Sequence, residues 1–299
     1  MDVLVSGGTG FVGSALVPAL CEAGHRVTVL TRQKPGRHEN SEGVHYVQSL
    51  APLREAPVDA VINLAGASMA GARWTQRYKR ELLASRLETT AGLVEFFRER
   101  QAPPATLLSA SAVGYYGHQG DQLLAEDAPP RPGFASDLCR QWEQTAARAE
   151  DLGVRTCYLR LGVVLDAGGG ALDDMARPFR FGIANWMGSG QQWLSWVHRA
   201  DVVAAILFLL DQPCLSGPFN LTAPTPVTNR ELCTALRKQF TTLPPVPLPG
   251  LALRLGLGEM AGELLLSGQR VVPVALREAG FEFRFSDLDT ALEAIYSKQ

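Results

Sequence analysis

The residues best suited to chemistry begin almost at the N-terminus. Ser6-Gly7-Gly8-Thr9-Gly10-Phe11-Val12-Gly13 follows a short β-branched run, Asp2–Ser6, and opens a stretch of helical periodicity. A strand, a glycine-rich turn and a helix in that order make a dinucleotide-binding fingerprint. Gly7 allows the tight turn, Gly10 lets the backbone approach a pyrophosphate, and Gly13 permits close packing of the helix. Thr9, Phe11 and Val12 share the loop, where the helix N-terminus offers unpaired N–H groups and its positive dipole end. The next strand ends in Leu30-Thr31-Arg32-Gln33, where an NAD site would place an acid for the ribose 2′-hydroxyl. No acid stands between Glu22 and Glu39. The Thr31 hydroxyl and the planar Arg32 cation suit a 2′-phosphate, with Lys34 and Arg37 able to add charge, so the expected cofactor is NADP(H).

A second group of candidates, Ser109-Ala110-Ser111-Ala112-Val113-Gly114-Tyr115-Tyr116-Gly117, closes the strand read over Thr106–Ser111. Strand carboxyl ends line the ligand crevice of a parallel sheet, so Ser111 is placed to meet a substrate oxygen, with Tyr115 and Tyr116 just beyond. The plainer readings are a turn serine and buried turn aromatics. A third group, Gly188 to Asp201, holds Trp193, Trp196 and His198 as candidate substrate contacts. For His198 the alternative is a packing histidine, and Asp201 reads as a helix N-cap. No His, Cys or acid set has metal-ligand spacing, so no metal is expected. Cys139 has no His or Asp neighbour in sequence and reads as an inert buried thiol.

These candidates need a scaffold. Strands are expected at Asp2–Ser6, Arg26–Thr31, Val44–Gln48, Asp59–Leu64, Thr106–Ser111, Arg155–Leu161 and Pro218–Leu221. Helices are expected at Phe11–Ala23, Trp74–Arg100, Phe134–Leu152 and Val197–Leu210. Leu83, Leu87, Thr90, Val94 and Phe97 would form the buried stripe of the second of these. Alternation at this spacing predicts a doubly wound parallel sheet of the Rossmann type. Ala167–Ala171 reads as a turn and Pro178–Gln192 as irregular. Thr228 and Glu231 form a capping box. Leu243–Gly250 reads as a proline-rich connector, followed by an apolar helix over Leu251–Leu266 and a closing helix from Asp287. The division expected is a dinucleotide-binding domain over 1–165, with 197–223 returning to it, and a smaller C-terminal substrate lobe from 166–196 and 224–299.

Composition sets the outer limits. The 299 residues are 46% hydrophobic and 19% charged, with net charge −2, which excludes a disordered chain and a basic nucleic-acid face. Five cysteines without metal spacing read as reduced thiols. No apolar run reaches the ~18 residues of a membrane span, and MDVLVSGG lacks a signal-peptide pattern, so a cytoplasmic location without a membrane partner is expected.

The Gly-x-x-Gly-x-x-Gly spacing, together with Asn63-Leu64-Ala65-Gly66 after the fourth strand, resembles the extended short-chain dehydrogenase/reductase (SDR) superfamily. Arg73-Trp74, Ser85–Thr90, Ser109–Gly117, Gly188–Asp201 and Leu257–Pro273 narrow the resemblance to its YfcH-like epimerase family, with that family's C-terminal domain of unknown function. The resemblance implies cofactor contacts at Leu64, Ala65, Gly66, Glu81, Arg86, Ser109 and Arg160, and a catalytic position at Ser111 with Tyr115 or Tyr116. The superfamily's acid–base Tyr and its Lys four residues later would fall at Ala135 and Cys139, which cannot do that work. Two expectations follow. One is an NADP-dependent oxidoreductase or nucleotide-sugar-epimerase-like enzyme whose proton donor has moved, acting on a sugar-like or carbonyl small molecule. The other is an NADP-binding regulatory or scaffold protein without turnover.

Overall fold

The structure is a computed structural model and describes residues 1–33 and 43–297, so Lys34 and Arg37 lie outside the described residues. Seven parallel strands form the central sheet: β1 (Asp2–Ser6), β2 (Arg26–Leu30), β3 (Val44–Val47), β4 (Ala60–Asn63), β5 (Thr106–Ala112), β6 (Arg155–Leu161) and β7 (Gly217–Leu221). Their order is β7-β6-β5-β4-β1-β2-β3, so the chain reverses direction across the sheet between β1 and β4. A ligand crevice belongs at that switch point, outside the strand carboxyl ends.

Alternation along the strands sends side chains to two covered faces. Val3 and Val5 pack with Leu16 and Leu20 of α1 (Gly13–Glu22). Leu4, Val61 and Leu107 pack on the opposite face with Leu93, Val94 and Phe97 of α2 (Gln76–Arg98) and Ala146 of α3 (Phe134–Ala147). The observed stripe of α2 runs through Leu82, Arg86, Thr90, Leu93, Val94 and Phe97, which rotates the buried face away from the expected Leu83 and Leu87.

A second apolar cluster surrounds α4 (Gly170–Arg180), a helix that the glycine run Gly168–Gly170 and Pro178 conceal in the sequence. Leu172, Ala176 and Phe179 lie one turn apart and bury together, which outweighs the helix-breaking tendency of Pro178. α5 (Arg199–Asp211) returns to the main core. α6 (Asn229–Gln239) begins at the capping box of Thr228 and Glu231. The proline-rich segment is not a free connector, because Val246–Leu248 pairs in parallel with Asn185–Met187. The apolar stretch beyond it is broken: α7 (Gly250–Leu257) ends at Gly258, and a separate turn of π-helix covers Ala261–Leu265. A short α8 (Val274–Glu278) and α9 (Leu288–Tyr296), capped by Asp287, complete the chain. No helix among the described residues is long and apolar enough to cross a membrane.

Candidate functional site

At the carboxyl end of β1 the glycine loop divides into buried and open positions. Gly7 has φ +75°, and a Cβ on it would lie 2.6 Å from the Leu64 carbonyl. A Cβ on Gly13 would lie 2.3 Å from Gly7 O, so α1 packs directly on the turn. Gly8 is pressed against the side chains of Val29 and Val17, a close fit that spacing alone does not reveal. Gly10 differs: it is exposed, and an added Cβ would meet only Gly7 O within 4 Å. Thr9, Phe11 and Val12 are half-buried beside it. No side chain caps α1 and no acid stands in its first turn. An uncapped helix N-terminus fronted by an open glycine suits a diphosphate. Arg32 is exposed just past the end of β2, and Thr31 Oγ1 accepts from Gln33 N at 3.2 Å.

Across the switch point, the Leu64–Gly66 loop lies against Gly7, with Gly66 exposed. Beneath it a buried polar network joins four elements. Ser6 donates to Asn63 Oδ1 at 2.6 Å, and Asn63 Nδ2 donates to Thr90 Oγ1 at 2.8 Å and to Ser109 Oγ at 3.4 Å. Ser109 is buried inside the sheet, with its side chain in this network rather than exposed in the crevice. Arg86 is buried and spans the loop and α2, donating to Ala67 O at 3.0 Å and to Leu82 O at 3.1 Å. Glu81 is exposed, and no ion pair among the described residues joins it to Arg86.

At the end of β5, Ser111 Oγ donates to Glu143 Oε1 at 2.6 Å. Arg160 grips the same carboxylate through Nε and a terminal nitrogen, each at 2.9 Å. Removing one member of so buried a pair typically costs about 3–5 kcal/mol. With its proton on Glu143, the buried Ser111 has only lone pairs left to offer. Tyr116 is fully buried, donates to Asn220 Oδ1 at 2.7 Å and accepts from Arg160 at 2.9 Å. Burial pushes its phenol up to about 12. Tyr116 is thus a core residue, a correction to its candidacy as a proton donor. Tyr115 is half-buried, with the Arg160 guanidinium 3.6 Å above its ring. Arg160 does not reach out as a cofactor contact; it organises Glu143, Tyr115 and Tyr116 from below.

The two α3 positions where the superfamily's Tyr and Lys would fall hold no replacement for them, and the Glu143 carboxylate of the same helix is held in its pair with Arg160. Ala135 packs near Gly114, and burial drives the Cys139 thiol up to about 11, so it stays protonated and inert. The α3 N-terminus is itself occupied: the Glu263 carboxylate accepts from Phe134 N and Ala135 N, each at 2.9 Å. Lys79 pairs with Glu259 and lies 4.6 Å over the Phe134 ring, so its charge is spent on the same segment.

In the second apolar cluster, Trp196 is fully buried and donates its indole N–H to Thr225 O at 2.9 Å, so it is a core residue. His198 is buried, caps α5 by accepting from Ala200 N at 3.0 Å, and stacks on Phe285. It takes the cap expected of Asp201, whose carboxylate instead accepts from Arg284 N and Phe285 N, both at 2.9 Å. Trp193 is half-buried and reaches across to Asp121 Oδ1 at 2.7 Å. Glu143 and Glu263 were missed in the sequence, because helix position alone marks each as a solvated charge.

Comparison with known proteins bears on the family and the fold. Residues 3–221 match the NAD dependent epimerase/dehydratase family, and residues 248–295 match DUF1731, a domain of unknown function. The epimerase family protein Mb2239 of Mycobacterium bovis is 41% identical over 293 residues, covering 97% of this chain and 96% of its own. The crystal structure of the human epimerase family protein SDR39U1 with NADPH superposes with a TM-score of 0.91 at 34% identity, covering 100% of both chains. A nucleoside-diphosphate sugar epimerase from Corynebacterium glutamicum aligns at TM-score 0.80 and 30% identity, covering 100% of this chain and 59% of that one.

Proposed function

Since the chain belongs to the NAD dependent epimerase/dehydratase family, we propose that it is an NADP(H)-dependent oxidoreductase or epimerase whose proton transfer does not use α3. The open, uncapped loop around Gly10 carries this reading, because it has the form of a diphosphate cradle. Thr31 and Arg32 meet the 2′-phosphate, and the Leu64–Gly66 loop borders the nicotinamide half. The NADPH-bound human relative supports the choice of cofactor. Bound there, the nicotinamide would give or take a hydride.

The chain's own residues handle the proton. Tyr115 is the half-buried phenol beside the β5 end, and the stacked Arg160 fixes its ring plane. Ser111, buried at the end of the same strand and oriented by Glu143, keeps lone pairs and serves as the acceptor. Residues 1–165 and 197–223 bind the cofactor, and 166–196 with 224–299 form the substrate lobe, where Trp193 is the aromatic contact left with partial exposure. The C. glutamicum neighbour favours a nucleoside-diphosphate sugar as the substrate class.

The test follows cofactor absorbance against a set of nucleoside-diphosphate sugars and simple carbonyl compounds. Tyr115→Phe and Ser111→Ala should each lower turnover on the order of 10²-fold, the scale of a lost transition-state contact. Cys139→Ser should stay within a few-fold. Both active-site variants turning over normally would refute the assignment. The filled α3 positions, Ala135 and Cys139, favour a second reading, an NADP-binding regulator without turnover. A wild type that binds NADPH yet turns over none of these compounds would select it.

A further inference from the structure

Arg86 and Arg160 are both buried at the end of the sheet where β4 and β5 finish, and they differ in one respect. Arg160 is neutralised by Glu143 through two hydrogen bonds. Arg86 has no carboxylate partner among the described residues. Its terminal nitrogens donate to the carbonyls of Leu82 and Ala67, its guanidinium carbon lies 5.2 Å from the Trp142 ring centroid, and its Nε is buried without a partner. A guanidinium does not lose its proton in a protein, so a whole positive charge stays there.

The surroundings direct that charge toward the crevice. On the α3 side, Leu138, Cys139 and Trp142 are buried and carry no charge. On the crevice side stands Gly66, exposed, and a Cβ placed on it would lie 3.1 Å from the guanidinium carbon and 3.3 Å from Nε. The missing side chain leaves only backbone between the cation and a ligand lying across the Leu64–Gly66 loop. The adenosine half of a dinucleotide belongs over β2, so the nicotinamide half lies over β4 and β5. That ring is cationic when oxidised and neutral when reduced.

We propose that Arg86 makes the site select the redox state of its cofactor: an uncompensated buried cation beneath the Gly66 loop repels the oxidised nicotinamide and leaves the reduced form preferred. The protein therefore holds NADPH at rest and is poised for reduction. This rests on the dinucleotide reading above and adds a preference that the fingerprint does not contain. A purely structural Arg86, tying Ala67 to α2, would affect both redox forms alike.

The experiment is calorimetric titration of the full chain with NADPH and, separately, NADP⁺. Wild type should bind NADPH on the order of tenfold or more tightly than NADP⁺, the scale of a repulsion between two unit charges about 10 Å apart at an effective dielectric constant of about 20. Arg86→Gln should bring the two affinities together, mainly by improving NADP⁺. Arg86→Met, a second neutral variant without the polar end, should do the same. Thermal melting without nucleotide reports whether each variant folds. If Arg86→Gln does not fold, wild type and Arg86→Met still decide the matter. A wild-type ratio near one, a wild-type ratio that persists in a folded neutral variant, or equal weakening of both forms in such a variant overturns the proposal. Failure of wild type to bind either nucleotide would overturn the dinucleotide reading itself.

Discussion

Two helix N-termini face the carboxyl side of the sheet, and the chain treats them in opposite ways. The start of α1 has no side-chain cap, no acid in its first turn and an exposed Gly10 in front of it. The start of α3 is filled by Glu263, a carboxylate from a segment more than a hundred residues later, which takes the N–H groups of Phe134 and Ala135. Both ends carry the same orphan donors and the same partial positive charge. What separates an anion site from a structural joint is whether the chain supplies its own carboxylate. The C-terminal segment thus does for α3 what a bound diphosphate would do for α1. It further ties α2 through Lys79 and Glu259.

The strongest way to break this comparison is to close the open end. Gly10→Val should lower NADPH affinity by more than about 100-fold and leave the protein folded, because its Cβ meets one atom, Gly7 O at 3.1 Å, and otherwise the ligand's space. Normal binding by a folded Gly10→Val protein would mean that α1 is not the anion site. Gly13→Ala is the contrast: its Cβ would lie 2.3 Å from Gly7 O, so the loss should register first in stability.

A smaller effect sharpens the open end. Arg32→Ala should weaken NADPH by about tenfold to a hundredfold while changing NADH little, the worth of a charged hydrogen bond of about 1.5–3 kcal/mol. Paired titrations with the two reduced nucleotides measure it, and equal losses for both would remove Arg32 from 2′-phosphate recognition.

The smallest effect opens the closed end. Glu263→Ala should cost about 1–2 kcal/mol in denaturant unfolding, the usual worth of a lost helix cap. Added sulfate should then restore part of that stability, since the freed α3 N-terminus becomes a site of the same kind as α1. No destabilisation, or a loss that sulfate leaves untouched, would show that the two ends are not equivalent.

Legibility in the sequence follows the distance over which each feature is built. Strand boundaries were readable to within a residue or two, because β-branched runs bounded by glycine and proline report local preference. The stripe of α2 holds as expected at Thr90, Val94 and Phe97 and departs by one position at Leu83 and Leu87, where Leu82 and Arg86 are buried instead, because a charged residue such as Arg86 reads as solvent-facing until the partner helix is seen. α4 was missed for a related reason: Gly168–Gly170 and Pro178 are local breakers, whereas the burial of Leu172, Ala176 and Phe179 is a tertiary gain.

Gly7, Gly10 and Gly13 are legible in the sequence, because strand, turn and helix are covalently consecutive and such a turn acts through its backbone, whereas the packing of Gly8 against Val29 is not. The proton-handling region could not be read in that way. Ser111, Glu143 and Arg160 come from β5, α3 and β6, and Glu263 arrives from the C-terminal domain to occupy the end of α3. Whether a tyrosine at that turn is accessible or buried depends on which of two adjacent rings faces inward. Packing made Tyr116 a core residue bonded to Asn220 and left Tyr115 half-buried under a guanidinium. Residue types alone specify which hydrogen bonds are possible. Burial decides which are made, because a donor shut away from water must find its partner among whatever groups the fold brings to it.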